Sequence, residues 1–348
     1  MEKRTKSVIP DGIDINENLA LENLRIDPTE DLSEPPVVCS IAGSPAMTAG
    51  NFSLLTGKAK SGKTFFLGSV IAGFVSNDTY LGVITGSLPE DKRTVLYFDT
   101  EQSAYHATRT VKRICNLVGN PSPVNLIAYG LRPLTPAERL EAIEDKISAT
   151  YGLGAVAIDG VRDLLTIGIN DEAEATSLTS KFLKWTAEYD IHLVLLLHQN
   201  KTDLNVRGHI GSELQNKAET TLSITKDIRT NSFVVSCEYS RDISFDDFAF
   251  RIEDETLVPS ELPEEGQMRA KNPQRISDQD HFKVLNEVYK DNSRLSYRDL
   301  SDRIKYGFGN TFGDNNCRTF IYHYLHEDWI KKERVNRNVF YAYTRAVF

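Results

Sequence analysis

Cysteine is scarce in this 348-residue chain: Cys39, Cys115, Cys237 and Cys317 stand far apart, with no CxxC pair and no Cys/His cluster. That argues against a thiolate zinc site and a disulfide framework, and leads us to expect a reducing cytoplasm. No apolar run reaches the ~18 residues of a membrane span. The opening MEKRTKSVIPDG has no apolar signal core, so a cytoplasmic protein is expected. Internal repeats and low-complexity tracts are lacking as well. A net charge of −9 excludes a basic coat over the whole surface but leaves room for a local basic channel. What is present is ordinary for a globular protein: 40% hydrophobic and 26% charged residues. A fully disordered, collagen-like or fibrous chain is excluded, and the length suggests about two domains at roughly 150 residues each.

Residues 1–36 are acidic, contain proline and lack sustained periodicity. They read as an arm, either a flexible tail or a segment that packs on a neighbouring subunit. From residue 37 to 258, short β-rich runs alternate with helical stretches. Strands are expected at 52–56, 94–98, 124–129, 155–158 and 193–197, and helices at 64–75, 104–117 and 172–188. Another helix is expected from Thr135, an N-cap with Pro136 at the first helical position and Glu138 closing a capping box, to about Thr150. Nearly continuous apolar strands separated by helices mean an α/β fold with a mostly parallel sheet covered on both faces. Runs at 220–225, 233–238 and 248–252 are expected to extend one edge in antiparallel fashion. A polar stretch at 259–277 reads as a linker. Residues 278–348 show three helical segments, then two short β runs around Asn336-Arg337-Asn338. This is the outline of a small winged helix-turn-helix domain.

The strongest chemical signal is Gly57-Lys58-Ala59-Lys60-Ser61-Gly62-Lys63-Thr64, followed by Phe65. It fulfils GxxxxGK[ST] between an expected strand and an expected helix, the setting of a phosphate-binding loop. Glycines let the backbone curl so that successive N–H groups face the phosphates, and the helix N-terminus adds a positive dipole. Lys63 is expected to reach the β- and γ-phosphates of ATP, and the Thr64 hydroxyl to hold Mg²⁺. Asp159, at the end of the apolar strand 155–158, is expected to contact Mg²⁺ through water. Glu101, just past strand 94–98, is the candidate general base; Asp99 is its rival, and either could instead cap the following helix. At the tip of strand 193–197, His198 or Gln199 is a candidate sensor of the γ-phosphate.

This ordered set, followed by a segment read as a polar loop from Arg207-Gly208, resembles the RecA-like ATPases, and within them the replicative hexameric helicases of the RepA and DnaB type, over residues 37 to 258. The Leu81-Gly82 stretch and the segment Arg207-Gly208-His209-Ile210-Gly211-Ser212 are most similar to the plasmid RepA branch. The resemblance implies a ring, expected to be a hexamer, with single-stranded DNA in its channel. It makes Lys201, Arg207 and Lys217 channel candidates. It also implies an arginine reaching into the neighbour's ATP site: Arg241, in Ser240-Arg241-Asp242, or else Arg207. The DnaB type carries a large N-terminal helical domain where this sequence has a short arm, so primase recruitment is not expected. In the C-terminal segment, Arg318, Tyr322 and His323 are available on the recognition helix. Lys331, Lys332, Arg334 and Arg337 make the hairpin basic, which suits phosphate contacts to duplex DNA. The expected function is an ATP-driven DNA motor of a plasmid or mobile element. A recombination or loading ATPase, or an ATP-switched DNA-binding regulator, stays open.

Overall fold

The computed structural model describes residues 25–29, 33–199, 208–228, 230–241, 244–263, 273, 276–308, 314–335 and 338–344. The chain divides into two units, Met1–Pro35 and Pro36–Phe348, and every element named below belongs to the second.

A short hairpin, β1 (Val37–Ile41) and β2 (Ser44–Thr48), precedes the phosphate-loop strand β3 (Phe52–Gly57) and helix α1 (Lys63–Ser76). Two further short strands, β4 (Thr79–Tyr80) and β5 (Ile84–Gly86), join β1 and β2 in a four-stranded sheet of order β2-β1-β5-β4. The sequence reading missed this sheet because its strands are five residues or shorter. Then follow β6 (Thr94–Asp99), α2 (Ala104–Val118), β7 (Leu126–Gly130), α3 (Pro136–Ala149), β8 (Leu153–Asp159), α4 (Glu172–Tyr189), β9 (His192–His198), α5 (Gly208–Lys217), β10 (Thr220–Asp227), β11 (Ser232–Ser240), β12 (Phe248–Glu253) and β13 (Thr256–Ser260).

Nine strands make one sheet in the order β13-β12-β11-β10-β3-β9-β8-β6-β7. The six from β10 to β7 are parallel. The fold is α/β, a mostly parallel sheet with helices on both faces. The strands are apolar on consecutive positions because each face has its own core. Leu55, Tyr97, Ala157 and Val194 pack with α1 on one side, while Leu54, Leu96, Val156 and Leu195 pack with α3, α4 and α5 on the other. The capping box forms as expected: the Thr135 side chain accepts from the Glu138 N–H and the Glu138 carboxylate accepts from the Thr135 N–H.

Four expectations need correction. Strand β7 starts at Leu126 rather than Val124, which is 97% exposed; the Leu126 N–H turns back to the Pro123 carbonyl. Strand β10 runs parallel to β3, and the antiparallel extension begins only at β11. The stretch read as a linker from 259 still lies in β13 up to Ser260. Pro259 is tolerated there because β13 is the sheet's edge strand, where a missing N–H breaks no ladder on its outer side. Last, the segment from Gly208, read as a polar loop, is helix α5. Ile210 and Leu214, four residues apart, bury one helical face in the second core.

Towards the C-terminus come α6 (Asp278–Val288), β14 (Arg294–Leu295), α7 (Tyr297–Gly307), α8 (Asp314–His326), β15 (Ile330–Val335) and β16 (Asn338–Tyr343). Ser277 and Ser296 cap α6 and α7 through the N–H groups of Asp280 and Asp299. The strands form a three-stranded sheet of order β14-β16-β15. Leu285, Leu300, Ile304, Phe320, Tyr324 and Trp329 belong to a hydrophobic core separate from the two that flank the large sheet.

Candidate functional site

The carboxyl ends of β3, β6, β8 and β9 meet at one edge of the sheet. Register places Gly57 beside His198, Asp159 beside Leu196, and Asp99 beside Asp159. Leaving β3, the chain must curl back to start α1. Gly57 does this at φ 154, where a Cβ would sit 2.4 Å from the Ile224 carbonyl oxygen. Gly62, at φ 82, caps α1, and a Cβ there would meet the Phe233 ring at 2.8 Å. No side chain caps α1 and its first turn holds no acidic residue. Its leading N–H groups and dipole therefore face the loop unneutralised. The Ser61 hydroxyl is buried there without a hydrogen-bond partner among the described residues.

Lys63 is 4% exposed, and its ammonium donates to the carbonyls of Gly57 at 2.8 Å and Lys58 at 2.7 Å. Burial pulls its pKa down to about 8, against the pull of Asp159 and Glu101. The Thr64 hydroxyl donates to Asp159 Oδ2 at 2.9 Å. Burial pushes the Asp159 carboxyl up to about 6. The Tyr97 hydroxyl lies between the two inner carboxylates, 3.4 Å from Asp99 Oδ2 and 3.5 Å from Asp159 Oδ2.

Asp99 and Glu101 take different positions. Asp99 is 1% exposed, and its Oδ1 accepts from the N–H groups of Glu101 at 3.1 Å and Gln102 at 2.8 Å. It holds the turn before α2. Glu101 faces the pocket, with its Oε2 3.4 Å from His198 Nε2. That contact, with His198, Lys63 and Arg162 charge behind it, holds the Glu101 carboxyl below its usual range. His198 and Gln199 also separate. His198 lines the pocket, whereas the Gln199 side chain turns inward and donates to the Thr56 hydroxyl at 3.3 Å.

Lys63, Thr64, Glu101, Asp159 and His198 border a pocket of about 460 Å³. Its far side comes from residues that the sequence reading missed: His106, Arg109 and Arg113 on α2, with Phe233 and Ile252 from the antiparallel strands. The signal was spacing, since 106, 109 and 113 share a face of an amphipathic helix. Arg113 lies 4.0 Å over the Phe65 ring, and Arg109 forms an ion pair with Glu255 at the β12–β13 turn.

Arg241 and Lys217 lie elsewhere. The Arg241 N–H bonds the Glu219 carbonyl and its guanidinium donates to the Lys217 carbonyl at 2.8 Å. Both sit where β10 begins, at the sheet edge opposite the phosphate loop. Lys201, Arg207 and Arg337 lie outside the described residues. Arg318, Lys331, Lys332 and Arg334 are exposed on α8 and β15.

A glycine-shaped loop on a helix N-terminus, a buried lysine and a threonine–aspartate pair make this a nucleoside-triphosphate site of the P-loop ATPase class. The AAA_25 family model, described as an AAA domain, matches residues 18–203, and the chain belongs to that family. The matched stretch is more than half of the 348 residues and contains the phosphate loop, Glu101, Asp159 and His198. It begins inside the segment read above as an arm. No curated protein matches the chain. Among the described residues no helix is long and apolar enough to cross a membrane.

Proposed function

We propose that the chain is an ATP-driven ring motor on DNA, a helicase of the RepA type acting in replication or transfer of a plasmid or mobile element. The observation that carries this reading is the 3.4 Å contact between Glu101 and His198. It joins the candidate base to the strand that leads into residues 200–207, the segment assigned to the DNA channel. A nucleotide-dependent change at Glu101 therefore has a direct route to that segment.

In this reading the phosphate loop and Lys63 bind the ATP phosphates, and Arg113 with Phe65 borders the rest of the nucleotide. Among the described residues no group of three or more His, Cys, Asp or Glu could hold a metal alone. Mg²⁺ would rest on the Thr64 hydroxyl, with Asp159 behind it and the nucleotide's own oxygens completing its shell. Bound there, Mg²⁺ neutralises charge on the β- and γ-phosphates. Glu101 is kept ionised, orients a water in line with the γ-phosphate and takes its proton. Asp99 is occupied by two backbone N–H groups and positions that turn. His198 reports the γ-phosphate. Arg241 acts on a neighbouring subunit's site, with Arg207 as the other candidate, because it lies too far from its own phosphate loop to act in cis. Lys201, Arg207 and Lys217 are the channel candidates; only the first two are close in sequence to the His198 strand end. The helix, strand, helix, helix and hairpin order of residues 278–348 supports a winged helix whose Arg318, Lys331, Lys332, Arg334 and Arg337 contact DNA.

The test is displacement of a labelled strand from a forked duplex, with ATP, without ATP, and with Lys63→Ala. ATP-dependent release by the wild-type chain alone is expected, from a particle of six copies when weighed with an ATP analogue and single-stranded DNA. Hydrolysis stimulated by single strands without release would make the protein a recombination or loading ATPase. Sequence-specific duplex binding with negligible turnover would make it an ATP-switched regulator.

A further inference from the structure

Between the outer face of α8, the first turn of α7 and the β15–β16 hairpin lies a groove of about 380 Å³. That is within the ~300–1,000 Å³ range of pockets that take small organic groups. Three tyrosines and two cations line it. Tyr322 is 58% and Tyr297 44% exposed, while Tyr341 forms the floor at 7%. The rings of Tyr297 and Tyr341 lie 6.1 Å apart at 58°. Burial, with Tyr297 and Tyr322 close by, pushes the Tyr341 phenol up. Arg318 sits 5.7 Å over the Tyr322 ring, and Lys332 sits 5.9 Å over that of Tyr341, directly across the hairpin.

Charge is distributed unequally over the hairpin. Glu333, its carboxylate among the described residues, pairs with Arg294 at 2.6 Å and Lys331 at 3.1 Å. Lys332 alternates to the opposite face, and among the described residues no carboxylate lines the groove. Two cations without an acidic partner in the groove suit phosphate. Three ring faces suit something flat. A stacked duplex offers base edges in its grooves, not faces; a face becomes available only when a base is unstacked. An acidic peptide would use the cations and leave the rings idle.

We propose that this groove binds single-stranded nucleic acid, stacking an unpaired base on Tyr322 and Tyr297 while Arg318 and Lys332 hold the flanking phosphates. The proposal rests on the reading of residues 278–348 as a nucleic-acid contact and changes its substrate. The site takes the separated strand rather than the duplex.

Oligonucleotides carrying 5-iododeoxyuridine, single-stranded or annealed, are irradiated with the intact chain and the crosslinked peptides are mapped. Crosslinks at Tyr322 or Tyr297 are expected with the single strand and not with the duplex. Tyr322→Ala should lower the yield at the remaining Tyr297 peptide about tenfold, and Tyr322→Phe by less than about threefold, because the ring does the stacking. Arg318→Ala with Lys332→Ala should flatten the salt dependence of that yield by about 1.4 in log–log slope, two phosphates at ~0.7 each. Tyr322 is exposed, so an unshifted thermal midpoint verifies its fold, and Tyr297→Ala gives a second, independent variant. Crosslinks confined to residues before 260, or equal yields from duplex and single strand, would overturn the proposal. A chain that crosslinks here but displaces no strand keeps the groove and loses the motor reading; one that unwinds without this crosslink does the reverse.

Discussion

At one edge of the nine-stranded sheet, where β3, β8 and β9 end, Lys63, Asp159, Glu101 and His198 converge on an open pocket. At the other, where those strands begin, the polar side chains close on one another. His192, fully buried, bonds the Thr48 carbonyl at 2.7 Å and the Ser53 hydroxyl at 3.1 Å. The Glu219 carboxylate accepts from the Thr48 N–H at 2.9 Å and from its hydroxyl at 2.5 Å. Similar residue types thus serve two ends. Where polar groups satisfy each other, they hold the strands in place. Where they project from a shared wall into a pocket, they are free to act on a ligand.

Substitutions at the two edges should therefore differ in kind. Lys63→Ala should leave no measurable ATP turnover, a loss beyond about a thousandfold, with thermal unfolding of the unliganded chain little changed. Arg241 is the exception that sharpens the contrast, because it belongs to the closed edge yet is assigned to a neighbour's pocket. Arg241→Ala should cut turnover about a thousandfold, and mixing it with Lys63→Ala subunits should restore part of the activity. Proven mixed oligomers without recovery would return Arg241 to the purely structural side. Glu101→Gln should bind ATP in equilibrium dialysis and hydrolyse it about a hundredfold more slowly. Near wild-type turnover would remove Glu101 as base.

At the closed edge, His192→Ala should cost about 2–4 kcal/mol in denaturant unfolding, through a cavity and stranded partners, with turnover per folded molecule within about threefold. Burial also pulls the His192 pKa from 6.5 down to about 4, so the folded chain keeps it neutral while the unfolded chain protonates it. Stability should fall as the pH drops from 6.5 towards 4, by up to about 3 kcal/mol from this residue. The His192→Ala chain should lack that share of the slope. The smallest effect belongs to Thr135→Ala, which removes one cap and should cost about 1 kcal/mol with turnover unchanged.

Much of the open edge was legible in the sequence, because its chemistry is local. The phosphate loop is contiguous, and Glu101, Asp159 and His198 each follow an apolar strand at its tip. The expected strands and helices of the parallel core correspond to observed elements, most with ends shifted by only a few residues. What was not legible depends on contacts distant in sequence. The Arg109–Glu255 pair joins residues 146 apart, and the Glu219 bonds to Thr48 join residues 171 apart. The small β2-β1-β5-β4 sheet is made of strands too short to show periodicity. Helix α5 was read as a loop because its polar residues, rather than Ile210 and Leu214, dominate the local composition.

The division of each strand between two cores has a consequence for folding. Leu54 faces one core and Leu55 the other, as do Leu195 and Val194. A slip of one residue would merely exchange one aliphatic side chain for another on both faces, so hydrophobicity supplies little protection against misregistration. The stops are at the ends. At the start of β3, the Ser53 hydroxyl meets His192; at its finish, the Thr56 hydroxyl receives Gln199. One bond runs to His192 at the start of the neighbouring strand β9 and the other to Gln199 just past its end, and both fail if either strand shifts by one. In assembly the strand pair behaves as a smooth bar notched at each end, and the polar residues beside the nucleotide pocket also serve as its alignment marks.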